Sequence, residues 1–139
     1  MSTLRIGTCS WKFPSWHPLL YSAPRGIDYL AEYAERYPTV EIDQWFWSYF
    51  GPGKTSLPDV ATVAEYLAAT PETFRFTIKA PNAVTLTHAY GKRTGGDQPA
   101  NPHFLSAELY GRFLERIAPM RERTACIMLQ FEYLNRQKM

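Results

Sequence analysis

Residues 39–50, TVEIDQWFWSYF, constrain the fold more than any other stretch of the chain. Val40 and Ile42 alternate with Glu41 and Asp43, the period of a strand whose two faces meet different surroundings. The apolar face must be covered by other elements, while the second face carries both carboxylates. Trp45, Phe46, Trp47, Tyr49 and Phe50 follow at the carboxyl end of that strand. Carboxylates that run into aromatic rings at a strand end are the material of a site.

The flanking sequence supplies strands and helices in alternation. Leu4 and Ile6 alternate with Arg5 and Gly7, which predicts a first strand over 4–8. After a loop rich in aromatics and prolines, Ile27, Leu30, Ala31 and Ala34 give the helical stripe of 27–36, which Pro38 stops. Ser56 and Asp59 have the spacing of a capping box before a stripe of Val60, Val63, Ala64 and Leu67. Phe74, Phe76 and Ile78 alternate with Arg75, Thr77 and Lys79 as a third strand. Ser106 can cap a helix that turns Leu109, Tyr110, Phe113, Leu114 and Ile117 inward, closed by Pro119. Residues 124–131, TACIMLQF, read as a fourth strand.

The order βαβαβαβ points to an α/β fold with a parallel sheet under helices. The connections are unequal. Each strand-to-helix loop is long and rich in aromatics or glycine, whereas each helix-to-strand link is a few residues. Function in such folds sits at the carboxyl ends of the strands.

In a parallel barrel the apolar alternate positions meet the outer helices and the other set points inward. Applied to this chain, the rule sends Arg5, Glu41, Asp43, Arg75, Thr77 and Lys79 inward. Arg5, Glu41 and Arg75 form an expected ion cluster at the lower level, because an unpaired buried charge costs several kcal/mol. Asp43 and Lys79 lie nearer the carboxyl ends, within reach of a substrate. A lysine there serves as electrophile, Schiff-base former or anion anchor, with Glu41 or Asp43 as general base; a buried ion pair is the structural alternative. Trp11, Trp16, Trp45, Trp47 and Tyr49 can stack on sugar rings or nucleobases, or extend the core into the loops.

Composition excludes several classes. A chain of 139 residues with 45% hydrophobic residues forms one domain and has no apolar run of membrane-spanning length. A net charge of +2 spread along the chain does not by itself call for nucleic acid. Cys9 and Cys126 make neither a disulfide framework nor a zinc spacing, and with no signal segment at the N-terminus a reducing, cytoplasmic setting is expected. His17 and His103 have no partner at ligand spacing, so no metal is assigned. The Gly95 and Gly96 pair neither follows a strand nor opens a helix, so no nucleotide cofactor is expected and the cofactor stays unknown.

Five segments in register, GTCSW at 7–11, VEIDQWFW at 40–47, FRFTIKAP at 74–81, LTH at 86–88 and LQF at 129–131, resemble the YecE-like family, domain of unknown function 72. The resemblance implies a TIM-type (β/α)8 barrel of uncharacterised activity. It singles out Trp11, Trp16, Glu41, Phe46, Lys79, His88 and Gln130. The chain departs from the family pattern at Asp43, Gln44 and Trp45, where many members have asparagine, serine and threonine. Because a full barrel takes about 250 residues, 1–139 is expected to be a single partial domain, the first four strands of the barrel.

These readings converge on an enzyme of the hydrolase, lyase or isomerase kind that acts on a polar or carbohydrate-like small molecule. Glu41, Asp43, Lys79 and His88 are its expected catalytic groups, and Trp11, Trp16, Trp45, Phe46 and Gln130 its substrate-binding groups. The alternatives are a nucleic-acid-binding or endonuclease-like barrel and a fragment without activity of its own. The outer strands of a half barrel also leave unpaired edges, which predicts association with a second copy through 124–131.

Overall fold

The computed structural model describes residues 4–51, 53–90, 99–134 and 136. At its centre is a parallel sheet of β1 (Thr39–Ile42), β2 (Arg75–Lys79) and β3 (Thr124–Met128), in that spatial order. The helices are α1 (Tyr29–Ala34), α2 (Val60–Ala68), the short α3 (Asn82–Thr85) and α4 (Ala107–Ile117). The fold is therefore mixed α/β, with strands and helices alternating along the chain.

Side-chain alternation decides which face is covered. Val40 and Ile42 of β1 and Phe76 and Ile78 of β2 are buried with Leu30 and Tyr33 of α1, Val63 of α2, and Phe113 and Ile117 of α4. Full burial of an aliphatic or aromatic side chain is worth about 1.5–3 kcal/mol, so this one face dominates the stability of the sheet. Glu41, Thr77 and Lys79 occupy the other face, where they are only half-buried. β3 takes its place beside β2 after an irregularity in register between Phe76 and Thr77.

The helix starts follow side-chain caps. Asp28 accepts hydrogen bonds from the Leu30 and Ala31 N–H groups, Asp59 from Ala61 and Ser106 from Leu109, each satisfying donors that the first turn leaves orphaned. The expected capping box at Ser56 does not form, since Asp59 itself is the cap. The helix then begins at Val60, which with Ala64 stays exposed, while Val63, Tyr66 and Leu67 pack inward.

Two further expectations are overturned. Residues 4–8 are not a regular strand: Leu4 is 84% and Ile6 67% exposed, and the pairing with β1 is one parallel bridge, Cys9 with Glu41. The segment is held at its far end, by the Glu41 N–H to the Thr8 carbonyl (2.9 Å) and the Ser10 N–H to the Glu41 carbonyl (3.0 Å). At Gly7 it runs so close to β1 that an added Cβ would lie 2.0 Å from the Thr39 carbonyl oxygen. The ion cluster of Arg5, Glu41 and Arg75 is also absent. Arg5 is exposed, Arg75 donates to the Glu72 and Phe74 carbonyls, and the register sets Glu41 opposite Thr77, two residues beyond Arg75.

Tyr33 ties the N-terminal segment to the sheet. Its hydroxyl accepts from the Thr8 N–H at 2.8 Å and lies 3.1 Å from the Thr39 carbonyl, to which it donates. Tyr33 is fully buried, so Tyr33→Phe leaves both main-chain groups without that partner. The expected cost is roughly 1–3 kcal/mol, read from urea unfolding of the parent and the variant; coincident unfolding curves would contradict it.

Candidate functional site

The open face of the sheet converges at the carboxyl ends of β1 and β2. Parallel pairing places Glu41 beside Thr77, and Lys79 lies two residues farther along the same face. Lys79 Nζ reaches Glu41 Oε1 at 3.1 Å, with 15% and 21% of the two side chains exposed. The same ammonium stands 5.5 Å from the centre of the Phe46 ring, a cation–π contact from the 3₁₀ turn Gln44–Phe46. Lys79 is thus held between a carboxylate and a ring face.

Asp43 opens that turn, and its Oδ2 accepts from the Cys9 thiol at 3.6 Å. The Cys9 pKa is pushed up to about 11, first by desolvation and then by its hydrogen bonds to, and the charges of, Glu41 and Asp43. Two carboxylates beside a thiol oppose formation of the thiolate, so Cys9 is not poised as a nucleophile. Ser10, next in the chain, adopts φ 66°. A left-handed serine beside a charged pair is local strain of the kind that clusters at functional sites.

The aromatic residues divide by exposure. Trp11 is 4% exposed, meets Tyr66 edge-on at 5.0 Å, and with Gln44 and Tyr66 lines a cavity of about 340 Å³. Trp45 stacks on Tyr66 at 5.7 Å, and Trp16 stacks on Tyr21 at 6.1 Å; both are half-buried against the core. Trp47, by contrast, is 57% exposed and leans on Tyr90. Gln130 lies just past β3 and is exposed. His88 is half-buried, with Nδ1 3.0 Å from Thr87 Oγ1. Glu41 thus joins Lys79, which stands over Phe46, to the Cys9 thiol and Asp43; among the described residues no hydrogen bond joins His88 to that group.

The loop that carries the rings is anchored by a residue the sequence patterns did not single out. Asn82 Oδ1 accepts from the Ser48 N–H, the Ser48 hydroxyl and the Tyr49 N–H at 2.9–3.0 Å, and the Ser48 oxygen accepts in turn from the Ala83 N–H. The one signal for it in the sequence is its place three residues after Lys79, where β2 ends and α3 begins. Among the described residues no group of three or more His, Cys, Asp and Glu is arranged to hold a metal, and no helix is long and apolar enough to cross a membrane. Gly95 and Gly96 lie outside the described residues.

A parallel sheet alternating with helices, with charged and aromatic groups gathered at its strand ends, places the chain in the α/β class. Within that class the chain belongs to the family described as Protein of unknown function DUF72, whose model matches residues 5–138. A crystal structure of a DUF72 family protein from Enterococcus faecalis V583 at 3.10 Å resolution is similar, with 26% identity and a TM-score of 0.62 over 96% of this chain. A second structure of that protein, at 2.52 Å, matches 78% of the chain with 26% identity and a TM-score of 0.52. The chain spans 42% of the length of the first of these and 38% of the second. No curated protein matches it.

The thiol gives the site a measurable signature. In a Cys126→Ser background, the rate of iodoacetamide alkylation at Cys9 is expected to rise with an apparent pKa of about 11. Glu41→Gln and Asp43→Asn should each move that profile to lower pH, because each removes a negative charge that disfavours the thiolate. An ordinary cysteine profile in the parent would overturn this account of the strand ends.

Proposed function

We propose that the chain is the first part of a (β/α)8 barrel whose carboxyl-end mouth binds a polar or carbohydrate-like small molecule. We place the reaction in the hydrolase, lyase or isomerase classes. Lys79 anchors or protonates an anionic oxygen of the substrate, Glu41 holds Lys79 in place and exchanges protons with it, and Asp43 and His88 complete the proton inventory. Trp47 and Tyr90 offer ring faces on which a sugar can stack. Phe46 holds the Lys79 ammonium over its ring and Gln130 offers a polar contact past β3, whereas Trp11, Trp16 and Trp45 pack with the buried core.

The observation that carries this reading is the position of Lys79 Nζ, 3.1 Å from Glu41 Oε1 and over the Phe46 ring at the strand ends. Support for a barrel comes from the sheet itself, since all-parallel sheets normally have both faces covered. The face of Glu41, Thr77 and Lys79 is only half-covered, and the solved relative extends well beyond the part matched.

The test is a ligand panel of sugars, sugar acids and sugar phosphates, scored by thermal shift and then by turnover. Lys79→Met and Glu41→Gln are expected to keep the fold, checked by circular dichroism, and to lose the response. Full turnover in either variant would refute the assignment, and loss of the fold would make the pair structural. Oligonucleotide binding at low salt, where phosphate contacts are strongest, would shift the function to nucleic acid.

The free edge of β3 bears on assembly. Near it Leu114, Ile117, Ala118, Thr124 and Ile127, with the charged Glu115 and Arg121, line a cavity of about 510 Å³, and Leu129 and Phe131 are exposed just beyond. In the isolated chain this edge is expected to pair with a second copy. Light scattering over a dilution series should show mass above the monomer, and a monodisperse monomer at micromolar concentration would rule the pairing out.

A further inference from the structure

Thr87 links a carboxylate to an imidazole. Its main-chain N–H donates to Glu132 Oε1 at 2.9 Å, and its hydroxyl oxygen lies 2.6 Å from the same atom. His88 Nδ1 is 3.0 Å from the Thr87 hydroxyl oxygen on the other side. A hydroxyl has one hydrogen to give, and an ionised carboxylate only accepts. The Thr87 proton therefore goes to Glu132, and the bond to His88 must run from the ring to Thr87. Nδ1 carries the proton, and Nε2 carries the lone pair.

We propose that Glu132 and Thr87 are positioning residues that hold His88 in the Nδ1–H tautomer, so that Nε2 is its proton acceptor. The logic is that of a carboxylate that fixes the tautomer of a histidine base, here with a hydroxyl placed between the carboxylate and the ring. When Nε2 takes a proton from a bound hydroxyl, the O–H bond breaks, the Nε2–H bond forms and the electron pair stays on the substrate oxygen. The imidazolium keeps its Nδ1–H on Thr87, and Glu132 faces the new positive charge through that hydroxyl. Two segments far apart in the chain are needed: Thr87 and His88 after β2, and Glu132 after β3.

The catalytic part of this proposal rests on the role given to His88 under Proposed function, but the tautomer does not. It is read without substrate from long-range ¹H–¹⁵N correlation spectra of the ¹⁵N-labelled chain, at a pH of about 8.5 where an ordinary imidazole is neutral. Comparison with His88→Gln separates its signals from those of His17 and His103. The parent and Thr87→Ser are expected to show the Nδ1–H pattern. Thr87→Val, which removes the acceptor, should revert to the Nε2–H form that imidazole prefers in water. Glu132→Leu should do the same, since the freed Thr87 hydroxyl can then donate to Nδ1. An Nε2–H pattern in the parent, or Nδ1–H retained in Thr87→Val, overturns the proposal. If Thr87→Val does not fold, the parent and Glu132→Leu spectra still decide it. Inactivity of the whole chain toward every ligand would end the catalytic reading and leave these spectra unchanged.

Discussion

The parallel register of β1 and β2 is the constraint on which the site depends. It sets Glu41 opposite Thr77, so Lys79, two residues farther on, rises past Glu41 on the same face and meets it at 3.1 Å. A slip of one residue would exchange the faces of a strand. Val40 and Ile42 would then face outward, and the carboxylate would be driven among Tyr33, Phe76 and Phe113. Burial of the apolar set therefore locks the charged set in place: the burial energy lies on one face and the ion pair on the other. The Cys9 thiol extends the arrangement, since its proton is retained beside Glu41 and Asp43.

What stands around that pair is positioned by hydrogen bonds to main chain, not by packing alone. Asn82 gathers the Ser48 and Tyr49 N–H groups onto one carbonyl oxygen and so fastens the aromatic loop after β1 to the loop after β2. Asn101 does the same farther on, donating to the Ala83 and Leu86 carbonyls and accepting from the His103 N–H. Long loops tolerate such roles because the sheet beneath them is rigid. Buried amides that satisfy several backbone groups at once are costly to replace, since each orphaned group loses its partner in a place water does not reach.

The sequence made some of this legible and hid the rest for identifiable reasons. Strict alternation in residues 39–43 and 74–79 was enough to assign β1, β2 and their two faces, because a period of 2 has no other regular interpretation over that length. The cap at Ser106 and the stripe of Leu109, Phe113 and Ile117 were equally clear. The same alternation at Leu4 and Ile6 misled, because pairing needs a neighbour along the whole strand and β1 meets that segment only near Cys9. At Ser56 the capping-box spacing competed with Asp59, and the aspartate prevailed by bonding the Ala61 N–H directly.

By itself the sequence determined the α/β alternation, the apolar face of the sheet and the concentration of aromatics and carboxylates at strand ends, since these follow from local periodicity and chain order. Only the tertiary structure decided that Glu41 pairs with Lys79 instead of Arg75, that Trp11 turns into the core while Trp47 faces solvent, and that Glu132 meets Thr87. Each of those outcomes depends on the register between strands or on where a long loop is pinned. Such contacts join residues far apart in the chain, and no local pattern encodes the distance between them.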